Sequence, residues 1–400
     1  MENNDTDPLP GSTAETVPLQ DKTSDGGTKL KIAIAIFKYF APSSGIQSDV
    51  IPLADELHLR GHEVTLYCSS WDAPTPPQWL KLEMVDADAF TNHGRSKLFI
   101  KNLHKMLENN PADILIAFNR IPGADFYIAG DRPVAMQDAG FFQKLSPRYR
   151  HNAALERELF CEESKTKILC VSPRQKLEYI RNYNTPEERI LLMPAGIPVN
   201  RKLRSDADEV RAKVRSSLGI SEDQIMLLSE GVNPGVIGAD RAISAVAALP
   251  EELQKTVRLV ICCRGTLKRL QKLAHRMGVD DIVDFIIPDF DLLELFPAAD
   301  LLLYPARNET SGIAPLESIA SGIPVLASPN HGWDHIVQES GSIVLPSPFR
   351  KENLVSALRM LLLAPERIEE MKRQASEYAR TADFYRRSEF AADAITGVVK

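Results

Sequence analysis

The sequence predicts an α/β protein built from two doubly wound domains, each around a parallel sheet. Short apolar runs alternate with segments that repeat apolar residues at helical spacing, which is the pattern of parallel strands joined by helices. The alternation occurs twice, on either side of a Pro/Gly-punctuated segment near residue 200. The 400 residues are enough for two domains of about 150 to 200 residues each.

The first series begins at Lys29. The apolar run KLKIAIAIFKYF (29–40) predicts one strand buried on both faces, and 49–60 has the spacing of a helix. The following strands are predicted at HEVTLYC (62–68), ADILIAF (112–118) and KILCVS (167–172). The segment RILLMPAGIPV (189–199) then predicts the domain junction.

The second series begins at QIMLLSEG (224–231). Its later strands are predicted at RLVICC, IVDFIIP, DLLLYPA, IPVLAS and SIVLP, and the charged stretch 366–397 is predicted to be helical. The domain boundaries that we expect are 29–198 and 199–375. Ligands of such folds bind where the carboxyl ends of the strands meet the following helices.

Composition and charge narrow the class of protein. Residues 1–28 contribute −5 of the net charge of −7, so the remainder carries no strong field that would favour nucleic acid. These residues predict an acidic disordered tail without the pattern of a secretory signal. Five cysteines without metal-ligand spacing favour a reduced compartment, and Cys262 and Cys263 are expected in the core. No apolar run is long enough to span a membrane, so we expect a cytoplasmic protein that can bind a membrane surface.

The stretch NETSGIAPLESIASGIPVLAS (308–328) predicts an anion site. A strand runs into a loop, and a helix follows with Pro315 in its first turn and Gly322 at its end. The peptide N–H groups of Gly312, Ile313 and Ala314 would then face the ligand. Small side chains at these positions let a phosphate approach the helix N-terminus.

Two glutamates flank this anion site. Glu317, one turn into the helix, can accept hydrogen bonds from two vicinal hydroxyls such as those of a ribose, and Glu309 can reach hydroxyls on the other side of a diphosphate. The simpler alternative is that Glu317 only favours the helix N-terminus, by about 0.3–1 kcal/mol.

The same segment resembles the E-x7-E signature of retaining glycosyltransferases of family 4, which have the two-domain GT-B architecture. The similarity runs from about Lys31 to the C-terminus. The fragments FKYFAPSSGIQSD, TNHGR, FNRIPGADFYIAGD, PRYRH and PAGIPVNRK are similar to the subgroup that adds the first glucose to heptose in the lipopolysaccharide core. The resemblance implies an active cleft between the domains and a C-terminal helix, 376–400, that packs back on the first domain.

The resemblance also implies roles for the matching residues. The expected catalytic residues are Glu309, which contacts the donor sugar, and Asp125, beside the reacting sugar. The expected donor-binding residues are Gly45, Asn233, Arg264, Gly312, Ile313, Ala314 and Glu317, the last of which holds the ribose. The residues expected on the acceptor or membrane side are Asp49, His93, Arg120, Lys144, Arg148 and Arg150. For Arg264 an ordinary surface position, and for His93 a structural loop position, are open alternatives.

The implied reaction transfers a hexose, glucose from UDP-glucose, to a lipopolysaccharide-core heptose or a related glycolipid, with retention of configuration. The nucleotide sugar is a co-substrate, and neither a metal nor another cofactor is expected. Basic side chains and helix dipoles would stabilise the leaving diphosphate.

One departure from the family pattern leaves two hypotheses open. The family carries an Arg and a Lys after the first strand of its second domain, where this chain has Val236 and Ile237. Loss of two charge-assisted hydrogen bonds would cost roughly 3–6 kcal/mol. Arg241, close by, is expected to face solvent or pair on its own helix. The chain is therefore either a transferase with a rewired phosphate site or a non-catalytic relative that binds a nucleotide or a partner enzyme.

The segment FFQKLSPRYRH (141–151) mixes aromatic and basic residues without an acid. This composition suits docking on an anionic membrane, at about 1 kcal/mol for each basic residue near the surface. The alternative is a solvated loop whose aromatic side chains fill the core of the first domain.

Overall fold

The structure is a computed structural model that describes residues 28–40, 45–130, 133–134, 141–197, 206–231, 233–263, 267–286, 292–307, 312–329 and 331–397. These residues form two parallel sheets, one in each half of the chain, and a small two-stranded sheet. Residues 1–27 of the predicted acidic tail and the predicted site residues Glu309 and Arg264 lie outside the described residues.

The first half carries strands that alternate with helices. Its strands are β1 (Lys31–Ala35), β2 (Lys38–Phe40), β3 (Glu63–Cys68), β4 (Ser70–Asp72), β5 (Lys81–Met84), β6 (Ile114–Ala117), β7 (Phe126–Ala129), β8 (Lys167–Cys170) and β9 (Ile190–Leu192). Its helices are α1 (Val50–Leu59), α2 (Asn92–Asn109), α3 (Phe141–Lys144), α4 (Pro147–Phe160) and α5 (Pro173–Tyr183). Short 3-10 turns occupy Gly45–Asp49 and Glu187–Arg189.

The first sheet has the order β5-β3-β1-β6-β7-β8-β9, and each of its strand pairs is parallel. In β1, Ile32 and Ile34 face one apolar cluster while Ala33 and Ala35 face another, as expected for a strand that helices cover on both faces. The prediction of one long strand over 29–40 was wrong. After Ala35 the chain leaves the sheet, and β2 pairs with β4 instead.

The second half repeats the arrangement. Its strands are β10 (Ile225–Gly231), β11 (Val257–Cys263), β12 (Val283–Ile286), β13 (Leu301–Tyr304), β14 (Val325–Ala327) and β15 (Ile343–Val344). Its helices are α6 (Ala207–Ser217), α7 (Pro234–Ile237), α8 (Ala239–Val246), α9 (Glu251–Gln254), α10 (Lys268–Arg276), α11 (Leu292–Ala298), α12 (Ala314–Ala320), α13 (Asp334–Glu339), α14 (Lys351–Leu363), α15 (Pro365–Thr381) and α16 (Arg387–Thr396).

The second sheet has the order β12-β11-β10-β13-β14-β15, again with parallel pairs. The strand order reverses between β10 and β13, and ligands of such sheets bind at the carboxyl edge next to the reversal. Cys262 and Cys263, at the end of β11, are each 1% exposed, which confirms their expected place in the core.

The end of the chain is two helices rather than one. The predicted helical stretch 366–397 breaks after Thr381, and α16 then packs against α1 of the first half. Arg60 on α1 pairs with Asp393 on α16, and the Ile197 N–H donates to the Phe384 carbonyl at 2.9 Å. Residues 384–396 therefore tie the two halves together next to the domain junction. No helix within the described residues has the length and apolar character needed to cross a membrane.

Candidate functional site

The loop after β13 leads into α12 at the carboxyl edge of the second sheet. As predicted, Pro315 lies in the first turn of α12, and Gly322 follows the helix with a φ of +73°. Ile313 and Ala314 are each 5% exposed. Both side chains are packed into the protein, and residues 312–314 lie at the start of the helix, where N–H groups without an intrahelical partner point along the axis.

Glu317 is 4% exposed although it is a carboxylate, so its position inside the helix packing is a costly one. Its own N–H donates to the Ile313 carbonyl at 2.9 Å within the helix. The buried carboxylate therefore stands one turn from the helix start, beside the bare backbone that the sequence predicted for a diphosphate. The other glutamate of the pair, Glu309, lies outside the described residues.

Trp333 fixes the backbone at the end of this loop, just before α12. Its indole N–H donates to the Gly312 carbonyl at 2.9 Å, and its ring is 2% exposed. His331 packs beside it at 3% exposure, and burial lowers the pKa of His331 to about 4, although Asp334 at 3.4 Å opposes the shift. The Trp333 side chain thus contacts Gly312 directly, and the backbone N–H of Trp333 donates to Nδ1 of the neutral His331 at 3.4 Å.

The loop after β10 contains the two positions where a cationic pair was expected. Asn233 caps the short helix α7, and its side-chain oxygen accepts the Gly235 N–H at 2.9 Å. Ile237 is 2% exposed and packs on Gly231 at the end of β10, while Val236 is only partly buried. The second position is therefore a core position in this chain.

Gly238 joins α7 to α8 with a φ of +76°, and a Cβ there would come within 2.1 Å of the Pro305 carbonyl oxygen. The glycine lets this loop lie directly against the end of β13. Because the loop lies so close, Arg241 can donate to the Pro305 and Ala306 carbonyls at 3.0 and 3.1 Å. Its guanidinium also lies 4.0 Å from the Phe349 ring centre. The expectation that Arg241 faces solvent or pairs on its own helix was wrong.

Arg307 is a cation of this region that the sequence analysis missed. It comes from the loop after β13, donates its N–H to the Val236 carbonyl at 2.7 Å, and reaches the Gly235 carbonyl with its guanidinium. Two further hydrogen bonds, of 2.6 and 2.7 Å, join it to Asp240. Burial raises the pKa of the Asp240 carboxyl, but the hydrogen bonds and charge of Arg307 outweigh it and leave that pKa below its ordinary value.

On the other half, the turn Gly45–Asp49 packs against the carboxyl end of β7. A Cβ at Gly130 would lie 2.1 Å from Ile46, so only a glycine allows this contact. Asp49 was predicted on the acceptor side. Its carboxylate is instead 8% exposed and paired with Arg387 of α16 at 3.0 Å. Burial raises the pKa of Asp49, and Arg387 opposes that shift.

Asp125 lies at the wrong edge of its sheet for the predicted catalytic role. It precedes β7, and its carboxylate accepts the Leu115 N–H at 2.8 Å near the start of β6. Its carbonyl accepts from Lys167 at the start of β8. These contacts place it at the amino ends of the strands, whereas ligands bind at the carboxyl ends. The acid that follows the carboxyl end of β7 in sequence is Asp131, outside the described residues.

His93 and Arg120 follow strands and lie toward the carboxyl edge of the first sheet. His93 is in the first turn of α2, partly buried, 3.4 Å from the Thr91 hydroxyl that caps the helix. Arg120 follows β6 and pairs at 2.6 Å with Glu156, which is fully buried and also accepts the Val134 N–H. Arg120 therefore has a structural partner in addition to any ligand.

The segment 141–151 consists of α3 and the first turns of α4, joined by a turn at Leu145 and Ser146. Ser146 caps α4, and Lys144, Arg148 and Arg150 are exposed. Phe142 is 86% exposed, which excludes it from the core that the alternative hypothesis required. Phe90, just before α2, is also fully exposed, and His151 of α4 lies 3.2 Å from Ser96 of α2. Exposed aromatic and basic side chains thus border both helices.

Among the residues that the structure describes, no three His, Cys, Asp or Glu side chains are grouped as metal ligands would be.

Comparison with known proteins agrees with this architecture. Residues 43–201 match the family described as Glycosyltransferase Family 4, and residues 210–382 match Glycosyl transferases group 1. The lipopolysaccharide glucosyltransferase WaaG of Escherichia coli K12 is 36% identical over 370 residues, which are 92% of this chain and 98% of WaaG. The chain belongs to glycosyltransferase family 4.

Solved structures place this family member in the GT-B fold. A crystal structure of WaaG, described as involved in lipopolysaccharide biosynthesis, superposes with a TM-score of 0.87 over 92% of this chain and all of that one. Anabaena HepE, solved with UDP-glucose, is 14% identical with a TM-score of 0.68 over 92% of this chain and 99% of that one, so it shows the fold alone. D-inositol 3-phosphate glycosyltransferase of Actinosynnema mirum is 29% identical over about half of each chain.

The loop after β10 lacks the two cations that were expected at Val236 and Ile237. A family 4 glycosyltransferase that lacks the cationic pair at Val236 and Ile237 has Arg307 within hydrogen-bonding distance of the same loop. The signal that could have revealed Arg307 is its place three residues after the end of β13, at the edge where ligands of this fold bind.

Proposed function

We propose that this protein transfers glucose from UDP-glucose, with retention of configuration, to a heptose of the lipopolysaccharide core or of a related glycolipid. The observation that carries the proposal is the 36% identity to a lipopolysaccharide glucosyltransferase over nearly the full length of both chains. The buried Glu317 beside the start of α12 supports it, since this is where the resemblance puts the ribose and diphosphate of the donor.

In this proposal the donor lies at the carboxyl edge of the second sheet. Glu317 accepts the ribose hydroxyls, the N–H groups of residues 312–314 hold the diphosphate, and Glu309 contacts the hexose. Asn233 and Arg264 flank the phosphates, and Gly45 approaches from the first domain. Fixed N–H dipoles stabilise the charge that develops on the leaving diphosphate without reorganising in the reaction, which lowers the barrier most in a site that excludes water.

We also propose that the acceptor is presented at a membrane surface on the cytoplasmic side. Lys144, Arg148 and Arg150 supply exposed positive charge, and Phe142 supplies an exposed aromatic ring for the interface. A lipid-linked acceptor is then concentrated next to the first domain, to which these residues belong.

The alternative is a non-catalytic relative that binds a nucleotide or a partner enzyme. The observation that favours it is the apolar pair at Val236 and Ile237, the second of which is buried and could not accept a charge without cost. Two lost charge-assisted hydrogen bonds correspond to roughly 10²–10⁴ in rate if nothing replaces them.

Two measurements together test the proposal. The first is calorimetric titration with UDP and with uridine, in which a transferase with a working phosphate site binds UDP at least about thirtyfold more tightly, about 2 kcal/mol. The second is transfer of labelled glucose to lipopolysaccharide truncated at the inner-core heptose, with untruncated lipopolysaccharide as control. Equal affinity for uridine and UDP together with no transfer would establish the alternative. A β-anomeric product would overturn retention alone.

A further inference from the structure

A cleft of about 790 Å³ opens beside α7, between the Arg307 side chain and α10. None of the roles proposed above uses it. Pro234 and Gly235 form one wall, Leu270 and Leu273 of α10 contribute apolar surface, and the remaining lining residues are charged. The charged residues are Asp240, Arg269, Lys272, Arg276 and Arg307.

The balance of charge in the cleft is strongly positive. Its lining has four cations and one carboxylate, and that carboxylate, Asp240, is already bound by both arms of the Arg307 guanidinium at 2.6 and 2.7 Å. Arg269, Lys272 and Arg276 therefore face the cleft without a compensating acid in its lining. An anion is the ligand class that complements such a site.

The three cations of α10 share one face of the helix. Arg269, Lys272 and Arg276 are spaced by three and four residues, the spacing that brings side chains together, and like charges at this spacing destabilise a helix. The helix KRLQKLAHR contains no acid that would relieve the repulsion. Repulsion among the three cations therefore lowers the stability of the free protein, and a bound anion would remove that repulsion.

The Arg307 side chain is held in one orientation at the rim of the cleft. Its guanidinium is fixed by Asp240 and by the Gly235 carbonyl at 3.1 Å, so ordering it for a ligand costs little conformational entropy. A planar guanidinium held in one orientation is suited to the oxygens of a phosphate, and the arginines of α10 add donors of the same geometry. The cleft thus combines net positive charge, one fixed donor and an apolar floor.

We propose that this cleft is a binding site for a phosphate ester. It is a site additional to the N-terminus of α12, and it does not depend on the proposed transferase activity. Two sources share the required chemistry: the diphosphate of a nucleotide, and a phosphate group carried by a saccharide.

The test is calorimetric titration of the full chain with inorganic pyrophosphate at low salt. Arg269→Gln and Arg276→Gln, made separately, should each weaken binding at least fivefold. Lys268→Gln is the matched control, because it removes the same charge from the same helix at an exposed position that does not line the cleft. The control should bind within twofold of the unaltered protein. Unchanged affinity in both arginine variants, or an equal loss in the control, would overturn the proposal.

A second arm distinguishes the two sources. The pyrophosphate titration is repeated with saturating UDP and with glucose 6-phosphate. Displacement by UDP, together with weaker UDP binding in Arg276→Gln, assigns the cleft to the nucleotide diphosphate. Displacement by glucose 6-phosphate but not by UDP assigns it to a phosphorylated saccharide. Arginine-sensitive pyrophosphate binding that neither compound displaces would contradict a phosphate-ester site. Because no transfer is measured, failure of the proposed transferase activity does not alter these outcomes.

Discussion

Asp49 and Arg387, 338 positions apart in the chain, form an ion pair at 3.0 Å in which both residues are less than 10% exposed. Asp49 directly precedes α1, the first α-helix of the first domain, and Arg387 is the first residue of α16, the last helix. The same guanidinium donates to the Pro194 carbonyl at the domain junction and lies 5.7 Å from the Trp333 ring centre. Trp333 in turn holds the Gly312 carbonyl, so one arginine lies against both domains and next to the candidate donor loop.

Arg387→Met should destabilise the protein by about 3–5 kcal/mol, because it leaves the Asp49 carboxylate buried without its partner. Urea unfolding followed by circular dichroism measures the change. The matched control is Arg386→Gln, which removes an exposed arginine with surface partners and should cost less than about 1 kcal/mol. Equal effects of the two substitutions would show that the buried pair contributes nothing specific.

Restoring cations to the loop after β10 should give opposite results at adjacent positions. Val236→Arg should be tolerated and tighten UDP binding by about tenfold, the contribution of one charge-assisted hydrogen bond. Ile237→Lys should destabilise the fold by about 3 kcal/mol or more, because the ammonium would replace a core side chain packed on Gly231. Calorimetry and thermal unfolding measure the two effects. A stable Ile237→Lys with tighter UDP binding would contradict the core assignment of Ile237.

Glu309→Ala should abolish glucose transfer and leave the thermal unfolding temperature unchanged, since the proposed role of Glu309 is contact with the donor sugar. Initial rates with labelled donor test this. Full activity of the variant would show that Glu309 does not contact the donor sugar in the reaction.

Asp131→Asn should lower the transfer rate by at least tenfold, whereas Asp125→Asn should leave it within twofold. The reason is that Asp131 follows the carboxyl end of β7, and Asp125 lies at the amino ends of the strands. Both rates are compared at saturating donor and corrected for the folded fraction, because Asp125→Asn weakens a hydrogen bond to the backbone of Leu115. The opposite ranking would restore the catalytic role first expected for Asp125.

Binding to vesicles should depend on the charge and the aromatic ring of segment 141–151. Vesicles with 30% phosphatidylglycerol should bind the protein, and Arg148→Glu and Phe142→Ser should each weaken binding by roughly fivefold or more, about 1 kcal/mol. Arg373→Glu, an exposed arginine of α15 in the other half of the chain, is the control and should have little effect. Sedimentation with neutral vesicles gives the baseline. Equal binding of all variants would exclude this surface.

Stability should fall as the pH is lowered from about 7 toward 4, in part because of His331. Burial lowers the pKa of His331 from 6.5 to about 4, so the unfolded chain takes up a proton in this range before the folded one does. The neutral His331 contributes fully to the free energy of unfolding above its ordinary pKa of 6.5. This stabilisation is lost as the pH falls to about 4, and its total is on the order of 3 kcal/mol. Urea titrations at pH 7 and pH 5 should show a smaller difference for His331→Gln than for the control His275→Gln, whose ring is exposed. Equal pH slopes would contradict the buried neutral state.

The sequence-based prediction of the fold succeeded where the apolar pattern is dense and failed where charged residues interrupt it. The strands of the second sheet were predicted because each is a dense apolar run before a turn. In the first sheet, β5 and β7 were missed, the first because Lys81 and Glu83 interrupt its apolar pattern. The role of Asp125 was implied by the family resemblance, and only the position of β7 shows that this residue precedes its strand and lies at the amino edge of the sheet.

The sequence by itself determined the two-domain parallel architecture and the loop and helix at 312–320, since these follow from periodicity, turn residues and spacing along the chain. That Val236 and Ile237 stand where the family carries two cations follows from the resemblance to the family pattern. Tertiary structure alone decided that Arg387 pairs with Asp49, that Arg307 reaches the loop after β10, and that Arg241 packs on Phe349. A long arginine side chain pairs with whichever acceptors lie within its reach in the folded protein. Residues far apart in sequence meet only after the sheets and helices have set the distance between them.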